Sequence, residues 1–267
     1  MFYNNRSLAI VRSFKNQEKE MPNILPSFLR SLVASSAMTV VFMSAACANT
    51  ATPAFGTSNL YDNFEGNMYN LSDGQTSPNG KWFQAWTGHG KAGVVTILST
   101  GNEVFFAKPK ASTSPQETHS SLTLTTKNWQ NAEIHVKVRT KQQLRQNSAP
   151  NTWEAAWVMW RYVDSYHHYY FILKPNGIEL GKKDNDRQAE EQVFLYTTGS
   201  PKLQLDKWSN WTIKMQGNHI QVYVNSLKVA DYIDNTMSHT LSNPGAVGLY
   251  TEDAHVQFDD VYISPLS

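Results

Sequence analysis

The stretch WEAAWVMWRYVDSYHHYYFILKPNGIELGKKD, Trp153 to Asp184, decides the fold. It holds two strand-like runs and a tight turn at Pro175-Asn176-Gly177, where glycine is free to take positive φ. Side chains alternate faces along a strand. Trp153, Ala155, Trp157, Met159 and Arg161 therefore share one face, opposite Glu154, Ala156, Val158, Trp160 and Tyr162. In the next run His168, Tyr170, Ile172 and Lys174 oppose His167, Tyr169, Phe171 and Leu173. After the turn, Ile178, Leu180 and Lys182 oppose Glu179 and Lys183. Neither face is purely apolar. Ionisable groups beside Trp and Tyr are costly to bury unpaired, and they suit a surface that stacks sugar rings and bonds their hydroxyls.

The rest of the chain repeats this pattern in shorter pieces. Val94–Leu98 and Glu103–Ala107 flank a hairpin turn, and Ala132–Thr140 alternates cleanly, with Ile134, Val136 and Val138 on one face. Further strands are expected at Leu122–Thr125, Val193–Tyr196, Trp211–Met215, Ile220–Val224, Val229–Tyr232, Ala246–Tyr250 and Val256–Ile263. Past the N-terminal segment, only Asp234–Leu241 reads as helical. Many short strands with turn residues between them predict an all-β fold, an antiparallel two-sheet β-sandwich, over residues 60–267 as one domain.

Residues 1–48 read as a targeting segment and 49–59 as a linker. Arg30, the apolar run Leu32–Ala46 and the small residues after it follow the order of a secretory signal. The start is open between Met1 and Met21. The run is too short for a spanning helix, so no transmembrane segment is expected in the mature chain. A secreted or periplasmic protein follows, with a lipid anchor at Cys47 as the alternative. Cys47 is the one cysteine of 267 residues, so no disulfide is available after cleavage. Beyond residue 48 the acids outnumber the bases by two, which excludes the basic field that a nucleic-acid partner needs.

The two ends carry a resemblance. YDNFEG (61–66) and QFDDVYI (257–263) resemble the first and last strands of concanavalin A-like jelly-roll domains, and HHYYFILKPNGIELGKK resembles the glycoside hydrolase family 16-like and 3-keto-disaccharide-hydrolase-like secreted group. The resemblance implies that the end strands pair. It also implies a structural calcium with Asp259 as side-chain ligand, backbone oxygens from the region of Glu65 and Gly66, and Asp62 as helper. The Glu-x-Asp-x-x-Glu motif of the family 16 hydrolases is missing, so their acid/base pair does not carry over.

Three readings of the chemistry remain, each with a polysaccharide or oligosaccharide as partner. Hydrolysis needs two carboxylates, and Glu154 with Glu179 is the candidate pair, with Glu117 a third acid on a neighbouring loop. A lyase acting on a uronate-containing glycan needs cations and a proton shuttle. Arg145, Arg161, Lys174 and Lys182 supply the first, and His119, His168 and Tyr170 the second. A non-catalytic lectin-like module needs only an aromatic platform, from Trp86, Trp153, Trp157 and Tyr170, with His89 on the glycine loop beside it.

Overall fold

A computed structural model describes residues 58–186 and 192–267. The expected targeting segment, Cys47 and nearly all of the linker lie outside the described residues. The first half of the chain forms β1 (Leu60–Asp62), β2 (Tyr69–Leu71), β3 (Trp82–Trp86), β4 (Lys91–Thr96), β5 (Glu103–Lys108), β6 (Ser120–Trp129) and β7 (Ala132–Gln143). The central stretch forms β8 (Ala156–Asp164), β9 (His167–Lys174) and β10 (Gly177–Asp184). Then come β11 (Gln192–Thr198), β12 (Ser209–Gln216), β13 (His219–Val224), β14 (Leu227–Ile233), the short helix α1 (His239–Ser242), β15 (Gly245–Glu252) and β16 (Ala254–Pro265).

These strands make two antiparallel sheets packed as a sandwich of jelly-roll type. The first has the order β14-β13-β12-β7-β16-β5-β4-β2, with β1 added on β16. The second has the order β11-β10-β9-β8-β15-β6-β3. Consecutive strands β6 and β7, β7 and β8, and β15 and β16 lie in opposite sheets, so the chain crosses repeatedly between layers. The ends pair as the sequence predicted: Leu60 faces Ile263, and Asp62 faces Val261.

Alternation sorts the side chains. Ile134, Val136 and Val138 of the first sheet meet Ala156, Val158, Trp160, Tyr169, Phe171 and Leu173 of the second in one core. A separate apolar cluster, with Trp86, Leu122, Trp157, Met159, Tyr170, Ile172 and Tyr250, comes from the second sheet alone and lies on its outer face. The second sheet thus buries both faces, which explains why β8, β9 and β10 read as mixed rather than as apolar-polar strands.

Three expectations need correction. Strand β8 begins at Ala156, not Trp153, because Glu154 N–H bonds Asn151 O and Ala155 N–H bonds Trp153 O in a tight turn. At Arg161 φ is 45°, and the pairing with β9 slips between Trp160 and Asp164. This bulge reverses the alternation, so Tyr162 joins Trp157 on the outer face. Of the expected helix Asp234–Leu241 only the part from His239 forms, within α1, because the Asp234 carboxylate accepts from Thr236 N–H and Oγ1 and from Tyr169 OH. That local turn competes with helix through residues 234–236. Among the described residues no helix is long and apolar enough to cross a membrane.

Phe171 is fully buried and meets Trp211 of the opposite sheet edge-on, with centroids 5.0 Å apart. Phe171→Ala is expected to cost about 3–5 kcal/mol in urea denaturation. A loss under about 1 kcal/mol would show that this contact does not hold the sheets together.

Candidate functional site

The outer face of the second sheet ends in a cluster of charge. Arg145 lies in the loop before β8, and only 1% of its side chain is exposed. Its Nε donates to Glu154 Oε1 at 2.5 Å and its Nη2 to Asp253 Oδ2 at 2.8 Å. Its remaining donors reach the carbonyls of Ser114 (2.7 Å) and Glu117 (3.1 Å). One guanidinium thus ties the 112–119 loop, the turn before β8 and the bend between β15 and β16. Asp253 sits in that bend with φ 42° and also accepts from Ser112 Oγ and His119 N–H.

Glu252 stands beside this group. It follows Tyr250 by two residues on β15 and so shares the outer face with it. Tyr250 OH donates to Glu252 Oε1 at 2.7 Å. Glu252 and Glu154 are fully buried, and in each one carboxylate oxygen, Oε2, has no hydrogen-bond partner. Glu154 Oε1, by contrast, takes both Arg145 and Asn151 Nδ2. A network built only to brace the fold satisfies its buried oxygens, so two open ones side by side suit groups that act on something else.

The aromatic rings connect this end of the face to the other. Trp157 lies 5.4 Å from Tyr250 and 4.9 Å from Tyr170, centroid to centroid. Tyr170 OH donates to Glu179 Oε1 at 3.1 Å, and Lys174 Nζ is ion-paired with Glu179 Oε2. Gly181 makes room for this. A Cβ at Gly181 would stand 2.1 Å from the Tyr170 hydroxyl, so the ring can lie across β10 only because the residue is glycine.

Electrostatics singles out Glu252. Burial is the main force pushing Glu252 up to about 8; Asp253 and Glu154 push the same way, against Tyr250 and Lys183. Glu252 is therefore a carboxylic acid at neutral pH. Burial also pushes Asp253 up to about 6, against bonds from Ser112 and His119 N–H and the charge of Arg145. His168 is driven down to about 3, first by burial and then by Lys183, and its ring stacks on Tyr162.

The structure gathers most of the residues expected from sequence. Glu154, Arg145, Glu117 and His119 meet at one end, with His119 Nε2 3.4 Å from Glu117 Oε1 and His89 edge-on to His119 at 5.7 Å. Trp86 and Trp153 belong to the same outer cluster as Trp157 and Tyr170. Trp86 Nε1 bonds Ser120 Oγ, and Trp157 Nε1 bonds Trp153 O. Glu179, Lys174 and Tyr170 form their own group, and the glutamate whose carboxyl feels the charge of Glu154 is Glu252. Arg161 turns away at the bulge and donates to the carbonyls of Gln130, Gly217 and Leu241. Lys182 faces inward and pairs with Asp184 at 3.0 Å and Asp234 at 2.8 Å. Glu252 and Asp253 escaped the sequence reading because β15 was expected to stop at Tyr250; carrying the alternation two residues further puts Glu252 beside Tyr250.

At the expected calcium junction the carboxylates are engaged in hydrogen bonds. Asp62 accepts from Trp82 Nε1, Asn79 Nδ2 and Phe64 N–H, Glu65 from Glu103 N–H, and Asp259 from Asn102 Nδ2 and Asp260 N–H. Among the described residues, the group whose ligand atoms all come within 4.8 Å is His167, Asp184 and Asp186.

Glu252 makes a testable pH dependence. A carboxyl raised in the folded state keeps a proton that the unfolded chain has released, so stability falls as pH rises from the ordinary value of 4.5 to about 8. Asp253 acts in the same direction up to about 6. His168 and His255, lowered to about 3 and about 4, act oppositely up to 6.5. From pH 6.5 to 8 Glu252 is the one of these four that changes its proton. Unfolding free energy should fall by about 1–2 kcal/mol over that window and stay level in Glu252→Gln. Equal slopes in the two proteins would count against a protonated Glu252.

Comparison with known proteins agrees with this architecture. The model of the 3-keto-alpha-glucoside-1,2-lyase-like domain matches residues 73–264, most of the chain. Comparison with curated proteins finds no match. Among solved structures, one from work on endo-acting O-glycanases of the human gut microbiota that initiate mucin breakdown is 11% identical. It covers 78% of this chain and 99% of its own, with a TM-score of 0.50. The carbohydrate binding module CBM66 from Bacillus subtilis is 14% identical over 68% of this chain and 93% of its own, TM-score 0.47. The Bacillus licheniformis beta-glucanase is 10% identical over 76% and 100%, TM-score 0.46. At 11% identity the likeness to the first of these is one of fold. The match of the domain model, spanning β3 to β16, is what shows that the chain belongs to the 3-keto-alpha-glucoside-1,2-lyase-like domain family.

Proposed function

We propose that the chain cleaves a glycosidic bond by elimination across C1 and C2 of a 3-keto-glucoside, with Glu154 as base and Glu252 as acid. The observation that carries this reading is the buried pair itself. Each acid keeps one oxygen open, and Glu252 is held protonated near pH 7. Two carboxyl groups whose environments differ in this way divide the roles of base and acid between them. The family's name supports the type of reaction.

The proton on C2 is acidified by the neighbouring C3 ketone. Glu154 Oε2 removes it, the C1–C2 double bond forms as the C1–O bond breaks, and Glu252 gives its proton to the departing oxygen. Glu154 ends protonated and Glu252 ionised, and a proton passing back restores both. Arg145 holds the Glu154 carboxylate in place, and Tyr250 holds Glu252 by its other oxygen. The reading keeps the expectation of an exported protein, which the apolar run Leu32–Ala46 motivates.

The test is turnover of 3-oxidised and unoxidised α-glucosides by the purified full chain. New enone absorbance from the oxidised substrate is expected. Glu154→Gln and Glu252→Gln should each lower the rate about 10²–10⁴-fold, and Glu179→Gln less than about tenfold. The rate should fall as pH rises through about 8, where Glu252 loses its proton. Reducing ends from unoxidised glycans without enone would replace elimination by hydrolysis at the same pair. Retention on a glycan gel with no product would leave a binding module.

A further inference from the structure

On the opposite face of β9 and β10, at their far end, lies a second cluster that the proposed reaction does not use. His167 opens β9 and Asp184 closes β10, and the register sets them directly across from each other. Both fall on the core-facing side of the alternation, with Tyr169 and Lys182, whereas Tyr170 and Glu179 face outward. Asp186 follows two residues later. One ligand atom from each of His167, Asp184 and Asp186 lies within 4.8 Å of the others.

Two observations point to a missing ligand. The first is the imidazole. His167 Nδ1 lies 2.9 Å from Asp164 Oδ1, and Nε2 lies 3.1 Å from Asp186 Oδ1. A neutral ring has one N–H, so it satisfies one of these carboxylates and turns a lone pair toward the other. A metal on Nε2 resolves that conflict, with Asp164 orienting the ring from behind, as carboxylates do for metal-bound histidine. The 3.1 Å separation suits two ligands on one ion with bonds of roughly 2.0–2.2 Å. The second is Asp184, whose side chain is almost wholly buried. Its Oδ2 accepts from Lys182 Nζ and Ser238 N–H, yet Oδ1 has no partner. The next residue, Asn185, also buries an unpartnered Oδ1.

We propose that His167, Asp184 and Asp186 bind one divalent first-row metal ion, with Asp164 as the group that orients His167. One imidazole nitrogen with carboxylate oxygens suits Zn²⁺ or Mn²⁺ better than calcium, which takes oxygen alone. The ion is structural. It joins the β8–β9 turn and the end of β10 to the segment leading into α1, where Ser238 and Thr240 N–H groups bond Asp184 and Asp186. It lies across the sheet from Glu154 and Glu252.

The test uses chelator-treated full-length protein titrated with ZnCl₂ and, separately, MnCl₂, followed by calorimetry and by melting temperature. One ion per chain and a rise in melting temperature are expected. Asp184→Asn also disturbs the Lys182 pair and risks misfolding, so the deciding variants are Asp186→Asn and His167→Gln, with folding checked by circular dichroism. Each should weaken binding at least about tenfold, while Glu154→Gln leaves it unchanged. No binding by the native chain, or equal binding by the folded Asp186→Asn and His167→Gln variants, overturns the proposal.

Discussion

The guanidinium of Arg145 bonds two carboxylates, one 9 residues along the chain and the other 108 residues away. With 1% of its side chain exposed, it has little water to fall back on. A buried ion pair adds little over a well-packed apolar substitute, but removing one partner leaves a charge stranded at a cost of about 3–5 kcal/mol. The 112–119 loop, the turn before β8 and the bend after β15 are therefore committed together. Their common purpose is to hold one end of the outer face in a fixed arrangement.

That arrangement has an excess of acid. Glu154, Glu252 and Asp253 meet Arg145 and the more distant Lys183, so ionising all three leaves negative charge uncompensated in a buried place. The proton stays on Glu252, the acid bonded by a tyrosine rather than by the guanidinium. Burial, more than any neighbouring charge, holds that proton on Glu252. Trp157, Tyr170 and Gly181 extend the same face toward Glu179, where Lys174 provides local neutrality.

The inner end of the same sheet follows another pattern. Lys182, Asp184, Asp234 and Tyr169 form a chain of bonds that pins the segment before α1 to β9 and β10. His167 and Asp186 adjoin this chain. One sheet thus carries polar groups on both sides: an acid pair outside and a cluster with metal-ligand geometry inside.

Much of the fold was legible in the sequence. The pairing of the two end strands came from the family resemblance of YDNFEG and QFDDVYI. Period two sorted β9 and β10 into their faces and the glycine turn set their pairing, because both depend on neighbours and on strong local alternation. The outer face at Trp157, Tyr170 and Glu179 was legible for the same reason. Local pattern could not show the bulge at Arg161, which needs the carbonyls of Gln130, Gly217 and Leu241 to draw the guanidinium aside. Nor could it pair Glu154 with Glu252. Nearly a hundred residues separate them, and their nearness comes from the placement of β15 beside β8. The sequence by itself determined a two-sheet sandwich and the strand faces that carry chemistry. Only the tertiary structure decided which acids share an environment, because burial and charge act through space and take no account of separation along the chain.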